Sequence, residues 1–492
     1  MFLFGFLFAD SLIYLYSLIW GCIEGWVSSW LDGQREKGVT GLEVKKKSHK
    51  YFVYESRTYW DKALHKKRKT SKYLGRLDRE HGLVPSGEVN ARITVLEYGN
   101  AVLAFHALED LVPLLRGAFP DVWEELVALG IVRMTGMVPL KSVQHEWALL
   151  HDNGLTPSLD PRSLSRVLRR VGLDRAAQDT VFKGIGTGRE LVYDLSCVYS
   201  KSEGVLFAEK GYNKDRCRLP QLNMALFCNV ADGMPSMIRV LPGSVRDIKS
   251  LYTTLEEIGL EGKILILDRG FFSEGLATHL GEKKIGYLLP AKRNSKLYQE
   301  EIPLKAHFKY HDRLILAGHK ELEHYHLYLF EDQDMMLEER KHLYELVDKS
   351  KLTMEEALGD SKTAGRILIL SNQDRSEKEV YELYKKRDGV EKLFNYYKNM
   401  LDADRMYLQD DPSVFGHVFT AFVSLYGYCK LQGMLRKAEL GHKYTPHDLL
   451  TIFKKVHEVT LNDKTITTEI PKNIEELQTK LKYHIHPQKM QS

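Results

Sequence analysis

Cysteine is scarce in this 492-residue sequence and is scattered along it. The five cysteines are an odd number, and no two of them form a C-x-x-C pair: Cys22, Cys197, Cys217, Cys228 and Cys429. This pattern argues against a disulfide framework or a zinc–thiolate knot, and it favours a reducing, cytoplasmic location. Internal repeats and low-complexity tracts are also lacking. The ordinary composition, 43% hydrophobic and 28% charged, excludes a wholly disordered, collagen-like or fully membrane-embedded chain.

Net charge is small as well, +4 over the whole chain, but it conceals a basic block. Residues 34–79 hold 15 Lys and Arg against 5 Asp and Glu, a net charge of +10, which leaves −6 for the remainder. Aromatic residues are interleaved with these cations, a pattern typical of proteins that bind a phosphate backbone. A solvated, charged hairpin is the alternative. The candidate DNA contacts are Lys45, Lys46, Lys47, Lys66, Lys67, Arg68 and Lys69.

Charge is almost absent from the first thirty residues, where only Asp10 and Glu24 interrupt an apolar, aromatic-rich run. The run is long enough to span a bilayer, but no Lys or Arg precedes it and no small-residue cleavage site follows, so it is a poor secretory signal. It is a membrane anchor, an amphipathic or packing helix, or an over-extended reading frame. The last two together are favoured over the anchor, and the fold is expected to begin at about residue 34.

The remaining chain predicts a mixed α/β protein of about three domains. Alternating residues predict a hairpin of strands 51–60 and 72–77, joined by a Lys-rich turn over 61–70. Strands are expected at 191–200, 204–211, 223–230, 237–243, 263–268 and 287–291, then at 313–318, 325–330 and 365–370, with helices at 247–259, 274–281 and 377–399. The predicted organisation is an apolar segment 1–33, a basic β-hairpin arm 34–90, a helical DNA-binding region 91–189, a core in two parts (190–291 and 365–400), an insertion 292–364 and a helical C-terminal region 401–492.

One helix of the 91–189 region has clear boundary signals. Asp160 can cap it, Pro161 suits its first turn, and Gly172 is expected to end it. Its arginines face either DNA or plain solvent.

Two aspartates stand in or at the end of apolar strands: Asp194 in LVYDLS and Asp268 in LILD. A carboxylate in an apolar run is costly unless it is paired, hydrogen-bonded or bound to a metal. If the two strands are neighbours, the carboxylates form an oxygen-rich site suited to Mg²⁺ or Mn²⁺.

A third carboxylate comes from the predicted helix 377–399. Tyr384, Arg387, Glu391 and Lys398 lie at offsets 0, 3, 7 and 14, which places them in one stripe at about 100° per residue. A solvent-facing row of ion pairs is the alternative. Four residues lie on the opposite side and are expected to face the core: Leu383, Val390, Leu393 and Tyr397.

The Y-x(2)-R-x(3)-E-x(6)-K spacing of these residues resembles the signature of insertion-sequence DDE transposases of the YREK class, from bacteria and archaea. YDLSCVYS and LILDRGFFS look like the first-Asp and second-Asp blocks of that family, and residues 51–78 resemble the basic opening of one subgroup. The resemblance covers about residues 50–430.

The resemblance implies an RNase H-like catalytic core interrupted by a β-containing insertion. It implies a catalytic and metal-binding triad of Asp194, Asp268 and Glu391, two Mg²⁺ or Mn²⁺ ions, and DNA contacts by Tyr384, Arg387 and Lys398. The implied partners are double-stranded DNA, as terminal inverted repeats and target, and a second copy of the chain in a synaptic complex. A transposase-derived DNA-binding protein without catalysis is the main alternative. A membrane-anchored hydrolase rests on the first thirty residues alone.

The insertion departs from the family's best-understood members, because no tryptophan follows Trp147 to stack on a flipped base. Four aromatic residues are candidates to replace it: Phe308, Tyr310, Tyr325 and Tyr328. The insertion is also crowded with histidines, at His307, His311, His319, His324 and His326. Their spacing matches no standard zinc ligand set, so zinc binding there is the less favoured interpretation.

Overall fold

The computed structural model describes residues 24–61, 65–86, 93–136, 138–186, 188–211, 219–245, 251–252, 260–400, 405–406, 408–461 and 464–485. Within these ranges the side chains at positions 391, 395, 398–400, 405 and 406 are not described. The chain divides into two compact units. We call residues 1–93 with 461–464 the basic unit and the remainder the core unit.

The basic unit pairs one helix with a four-stranded antiparallel sheet of order β1–β2–β3–β4. The elements are α1 (Gly25–Glu36), β1 (Leu42–Lys47), β2 (Lys50–Asp61), β3 (Lys66–Asp78) and β4 (Gly82–Pro85). Val27 of α1 is buried with apolar residues of three strands, and Trp26, Trp30 and Leu31 pack against the same cluster. Residues 25–33 therefore form part of a packing helix, and the boundary expected at residue 33 lies inside it.

The predicted hairpin of the basic unit is longer than expected. Residues 66–70, expected in a turn, belong to β3, and Lys66 pairs with Asp61 across the hairpin. Because β1 pairs with residues 50–55 and β4 with residues 75–78, the strand pairing of residues 56–61 and 66–71 is with each other, although Ser56 and Lys69 also bond to residues at or next to β1. We call this two-stranded part the distal ribbon. Residues 1–23 and 62–64, including most of the apolar run, lie outside the described residues.

The core unit begins with a strand and a group of helices. These are β5 (Ile93–Glu97), α2 (Gly99–His106), α3 (Val112–Ala118), α4 (Trp123–Thr135), a 3₁₀ turn (Leu140–Ser142), α5 (Val143–Trp147), α6 (Pro161–Leu173) and α7 (Arg175–Ile185). Asp160 caps α6 as predicted, accepting hydrogen bonds from the backbone N–H groups of Arg162 (3.0 Å) and Ser163 (3.2 Å).

A mixed sheet follows. Its strands are β6 (Glu190–Ser200), β7 (Gln221–Asn229), β8 (Pro235–Pro242), β9 (Ile264–Ile266), β10 (Gly286–Pro290), β11 (Ala306–Tyr310), β12 (Arg313–Glu321), β13 (His326–Asp332), β14 (Arg366–Ser371) and β15 (Arg405–Met406). The helical segments between them are 3₁₀ turns Arg269–Phe271 and Lys296–Gln299, α8 (Glu274–Glu282), α9 (Gln333–Asp348), α10 (Met354–Ser361), α11 (Glu377–Lys385) and α12 (Asp388–Met400).

The strand order is β11–β12–β13–β14–β10–β9–β6–β7–β8, with β15 beside β6. β6, β7 and β8 are antiparallel neighbours, whereas β9 and β10 run parallel to β6. The predicted insertion does not form a sheet of its own, because β13 pairs with β14 and thereby joins the core sheet. No strand forms over 204–211 in this described stretch, where Glu209 makes only an isolated bridge to Gln221. Most of the helix predicted at 247–259 lies outside the described residues.

The C-terminal part contains α13 (Asp411–Lys437), α14 (Pro446–Phe453), β16 (His457–Leu461), β17 (Lys464–Thr467) and α15 (Lys472–Leu481). The region expected to be helical thus includes a hairpin, whose β16 also pairs with β5. α13 is buried along most of its length, which makes it the central helix of this unit.

α6 packs closely on α13 through two glycines. A Cβ at Gly172 would lie 1.7 Å from the carbonyl oxygen of Pro412, and one at Gly416 would lie 1.9 Å from that of Leu168. Gly172 was expected to end α6, but the helix continues to Leu173, and the residue instead permits this close contact.

In the described part of the chain, no single helix is long and apolar enough to cross a membrane. One pair, Trp123–Thr135 with Leu140–Trp147, is bent by 104° and meets the criterion by length and composition only.

Candidate active site

Asp194 lies on β6, and Asp268 lies two residues past the end of β9, the parallel neighbour of β6. Val192 of β6 is level with Ile266 of β9, and two residues further along each strand stand Asp194 and Asp268. Neighbouring strands are about 4.8 Å apart, so the shared register places the two aspartates side by side at the end of β9. The sequence predicted strands that could be neighbours, and the structure brings them together.

The Asp268 carboxylate, which follows the end of β9, is partly exposed. β9 spans only three residues, after which Asp268 adopts an extended conformation and precedes a 3₁₀ turn. The Asp268 side chain makes no capping hydrogen bond to that turn and is 31% exposed. Asp194 is half-buried, and one of its carboxylate oxygens accepts a hydrogen bond from the N–H of Leu195 (2.9 Å). Carboxylate oxygens in such positions fit hard divalent cations.

Arg387 supplies positive charge beside Asp268. Its Nη1 lies 3.2 Å from Asp268 Oδ1, and its Nη2 lies 3.5 Å from Asp388 Oδ1. The Arg387 side chain is only 12% exposed, so this pair is screened less than a surface ion pair. The guanidinium carbon also lies 5.6 Å from the centre of the Tyr384 ring. Arg387 of the predicted stripe therefore contacts one of the two aspartates, and Tyr384 lies beside Arg387.

Tyr384 is buried rather than solvent-facing, with 6% of its surface exposed. Burial raises the pKa of its phenol, while nearby Arg387 acts in the opposite direction. The phenol therefore stays protonated and can donate a hydrogen bond at neutral pH.

The prediction of a single helix over 377–399 is wrong, because the helix is divided at Lys386–Arg387. The N–H of Arg387 donates to the carbonyl of Tyr384 (3.1 Å), and the N–H of Val390 donates to that of Arg387 (2.9 Å). These i to i−3 bonds tighten the chain between α11 and α12. The stripe calculated at 100° per residue therefore does not run unbroken from Tyr384 to Lys398.

Glu391 lies on α12, four residues after Arg387, and α12 packs against β6 and α13. The helix that carries Glu391 is thus beside the strand that carries Asp194. The side chains of Glu391 and Lys398 lie outside the described residues, so their approach to the aspartates stays a prediction. The core-facing side was predicted correctly, because four residues are buried: Leu383, Val390, Leu393 and Tyr397.

Arg269 was missed by sequence reasoning although it directly follows Asp268. Its Nε is buried and has no hydrogen-bond partner among the described residues. Its charge acts on the Tyr384 phenol, as that of Arg387 does. The available signal was the Asp-Arg-Gly sequence at the strand end, where a cation stands next to a metal-binding candidate.

The basic candidates of the basic unit are all exposed, but several have acidic partners. Lys69 pairs with Glu43, Lys46 with Glu24 (3.3 Å) and Arg68 with Asp61 (3.4 Å). Lys45 lies 4.9 Å over the Tyr54 ring. Within the described residues Lys47, Lys66 and Lys67 make no ion pair.

Two aromatic residues of the distal ribbon are also exposed, Tyr59 by 47% and Trp60 by 55%. Tyr59 stands opposite Arg68, and Trp60 stands opposite Lys67. Each face of the ribbon therefore carries an aromatic ring next to a cation.

The arginines of α6 are partly engaged within the protein. Arg169 pairs with Asp410 (2.9 Å), and Arg170 pairs with Asp121 (3.0 Å) and Asp174 (2.8 Å). These contacts favour the surface-helix interpretation over a DNA-facing one for this pair of arginines.

Among the aromatic candidates of the insertion, Tyr328 is fully buried. Phe308 and Tyr310 pack against Tyr381, with ring centroids 5.5 and 5.3 Å away, and Tyr325 is half-buried. A base could stack on Tyr328 only after rearrangement of the core.

Comparison with protein-family models matches residues 186–426, just under half of the chain, to the transposase DDE domain. This match supports a DDE transposase. A search of curated proteins finds no match. Among solved structures, a cryo-EM structure of the piggyBac transposase synaptic complex with hairpin DNA is similar at 12% identity and a TM-score of 0.36, with 80% of this chain and 87% of that chain covered. A likeness of this size carries no argument about fold or function.

Proposed function

We propose that this chain is a DDE transposase that cleaves transposon ends and joins them to target DNA. The observation that carries the proposal is the parallel pairing of β6 with β9, in which Val192 is level with Ile266, two residues before Asp194 and Asp268, inside the region that matches the transposase DDE domain. The YREK-class assignment rests on the sequence spacing of Tyr384, Arg387, Glu391 and Lys398.

The proposed metal ligands are Asp194, Asp268 and Glu391. Two Mg²⁺ or Mn²⁺ ions held by them would activate water or a 3′-hydroxyl and stabilise the leaving oxygen of the phosphodiester. The fit rests on the donor set, because Asp268 is partly exposed and its carboxylate is not used as a helix cap.

The protein's own groups position the DNA. Arg387 holds Asp268 and places positive charge where a phosphate would lie beside that carboxylate, and Lys398 would add a point charge. Tyr384 stays protonated and offers an O–H donor. Cations aimed at the phosphate stabilise the charge that builds in the transition state.

We interpret the strand order β8–β7–β6–β9–β10 as an RNase H-like core, split by the segment that carries β11 to β13. The support is the combination of three antiparallel strands with two strands parallel to β6. The strands after residue 292 would then be an insertion that extends the same sheet.

The distal ribbon is the proposed DNA-binding element of the basic unit. A two-stranded antiparallel ribbon fits the major groove of B-DNA, and this one carries exposed cations and two exposed aromatic rings. We also propose a homodimer that pairs two element ends, and a cytoplasmic location, which the cysteine pattern favours.

Strand cleavage by the full-length protein tests the function. The substrate is a labelled duplex that carries the inverted repeats flanking the gene, with Mg²⁺ present. We expect cleavage at the repeat ends by the wild type, loss of cleavage by Asp268→Asn and Asp194→Asn, and retained DNA binding by both. Asp348→Asn, an exposed carboxylate at the end of α9, is the matched control.

Cleavage by Asp268→Asn at the wild-type rate would contradict the assigned site. Binding of the repeats by the wild type without any cleavage would favour a transposase-derived DNA-binding protein.

A further inference from the structure

Two histidines and an aspartate converge at a point that the proposed cleavage site does not use. His319 lies on β12, His326 is the first residue of β13, and Asp374 follows β14. One potential ligand atom from each lies within 4.8 Å of those of the other two. The histidines are half-buried, and the aspartate is exposed.

Strand pairing explains the convergence. His319 stands directly opposite Tyr328, so His326, two residues earlier on β13, projects from the same face of the sheet. His326 is also level with Ser371 at the end of β14, and the chain turns there toward Asp374. Asp374, which follows His326 by 48 residues in the sequence, is thus brought to the two histidines.

Tyr328 fixes both sides of this cluster. Its ring stacks on the His319 ring with a centroid distance of 4.6 Å and an interplanar angle of 4°. Its hydroxyl donates to the carbonyl of Gln373 (3.1 Å) and accepts from the N–H of Arg375 (3.0 Å). One buried residue therefore orients a histidine and holds the turn that carries Asp374.

The spacing of the two imidazoles suits a metal ion. His319 Nε2 and His326 Nδ1 are 3.1 Å apart. Two nitrogens bound to a tetrahedral Zn²⁺ at 2.0–2.1 Å lie roughly 3.3 Å from each other. Imidazole nitrogens favour Zn²⁺ and related transition metals over Mg²⁺. We propose that His319, His326 and Asp374 bind one divalent transition-metal ion of the Zn²⁺ class.

This ion would join two parts of the core unit. The β12–β13 hairpin supplies both histidines, and Asp374 belongs to the turn that leads into α11. The next residue of that turn, Arg375, forms an ion pair of 2.7 Å with Glu190 at the start of β6. The proposed ion is therefore a structural clamp between the hairpin and the segment that precedes Tyr384.

Metal binding by the full chain, purified without a polyhistidine tag, tests the proposal. Equilibrium dialysis against Zn²⁺ with 5 mM Mg²⁺ present measures the tight sites, and Co²⁺ substitution reports ligand geometry through its visible absorption. The Asp268→Asn chain is used throughout, so that the proposed cleavage site contributes less and its correctness does not decide the result.

We expect one Zn²⁺ ion per chain. His326→Ala and Asp374→Asn should each weaken Zn²⁺ binding at least tenfold, and both variants should lose the visible absorption band of bound Co²⁺. His324→Ala, an exposed histidine of the same hairpin, should change neither quantity. The Asp374 side chain is exposed, so Asp374→Asn keeps the proposal testable if His326→Ala does not fold.

Equal Zn²⁺ affinity in the parent and in Asp374→Asn would overturn the three-ligand site. Equal Zn²⁺ affinity in the Asp268→Asn chain and in a folded His326→Ala variant of it would refute the proposal altogether. The two imidazoles would then be a hydrogen-bonded pair and not metal ligands.

Discussion

Removal of two cations from the distal ribbon should weaken DNA binding in a calculable way. Lys66 and Lys67 are exposed and make no ion pair within the described residues, so each is free to neutralise one phosphate. Each phosphate contact contributes about 0.9 to the slope of log affinity against log salt, so Lys66→Gln with Lys67→Gln should reduce that slope by about 1.8. If the two lysines contribute nothing to affinity at 1 M salt, a slope difference of about 1.8 makes the double variant bind about 30-fold more weakly than the wild type at 0.15 M salt.

The acidic partners of the neighbouring cations predict a smaller effect there. Arg68 pairs with Asp61 and Lys69 with Glu43, so each must exchange an existing partner for a phosphate. We expect Arg68→Gln with Lys69→Gln to change the salt slope by less than the first pair does. Ranking the two double variants thus tests the geometry of the ribbon as well as its charge.

Fluorescence anisotropy of a labelled duplex, titrated at several salt concentrations between 0.05 and 0.3 M, measures the slope. Lys349→Gln with Lys351→Gln, two exposed lysines after α9, is the charge-matched control and should leave the slope unchanged. An unchanged slope and affinity in the Lys66 and Lys67 variant would refute the reasoning that the ribbon contacts DNA.

Three further outcomes are expected. Arg387→Ala should lower single-turnover cleavage about 10²- to 10³-fold with little loss of DNA affinity, because it removes the cation beside Asp268. Gly416→Ala should reduce the free energy of unfolding in urea by about 3 kcal/mol, because its Cβ would meet a backbone oxygen at 1.9 Å. Burial raises the pKa of Tyr287 to about 12, so as pH rises its phenol ionises in the unfolded chain before it does in the folded one. Stability should therefore fall between pH 10 and 12, and Tyr287→Phe should make that fall smaller.

Each of these outcomes has a control. Gly433→Ala lies in the same helix as Gly416 with open space around its Cβ, and it should stabilise the protein by about 0.5–1 kcal/mol. Equal effects of the two glycine variants would contradict the close α6–α13 contact. Tyr287 is protonated in both states well below pH 10, so Tyr287→Phe should show no pH-dependent difference there. Cleavage unaffected by Arg387→Ala would remove that residue from the site.

The aspartate pair was accessible from the sequence because both residues interrupt short apolar strands. Strand position and the cost of a carboxylate in an apolar run made Asp194 and Asp268 candidates without a structure. Their equal level was not accessible, because it depends on the pairing of β6 with β9, which joins residues more than 70 positions apart.

The division between α11 and α12 escaped prediction because the hydrophobic period continues through it. Leu383 and Val390 are both buried, so the apolar pattern indicates one helix. Gly389 is a weak local signal, since glycine lowers helix propensity by about 1 kcal/mol. The changed hydrogen bonds lie at Arg387, which also pairs with Asp268, a tertiary contact that the local sequence does not reveal.

The sequence revealed neither the edge of the large sheet nor the histidine cluster, because both depend on contacts between residues far apart in the chain. The sequence predicted strands at 313–318 and 325–330. Their addition to the core sheet could not be predicted, because it depends on pairing with β14, which is separated from β13 by two helices. The ligand spacing of His319, His326 and Asp374 resembles no motif because Asp374 comes from that same distant strand end.

The close contact of α6 with α13 also has a consequence for folding during synthesis. The apolar face of α6 leaves the ribosome about 240 residues before Gly416 does, so at 5–20 residues per second it waits roughly 12–50 s for its partner. During that interval Leu164, Val167 and Leu168, buried in the finished protein, lack the helix that covers them. A chain that terminates before residue 411 never acquires that cover, so prematurely ended copies should be removed by proteases or chaperones rather than persist as fragments.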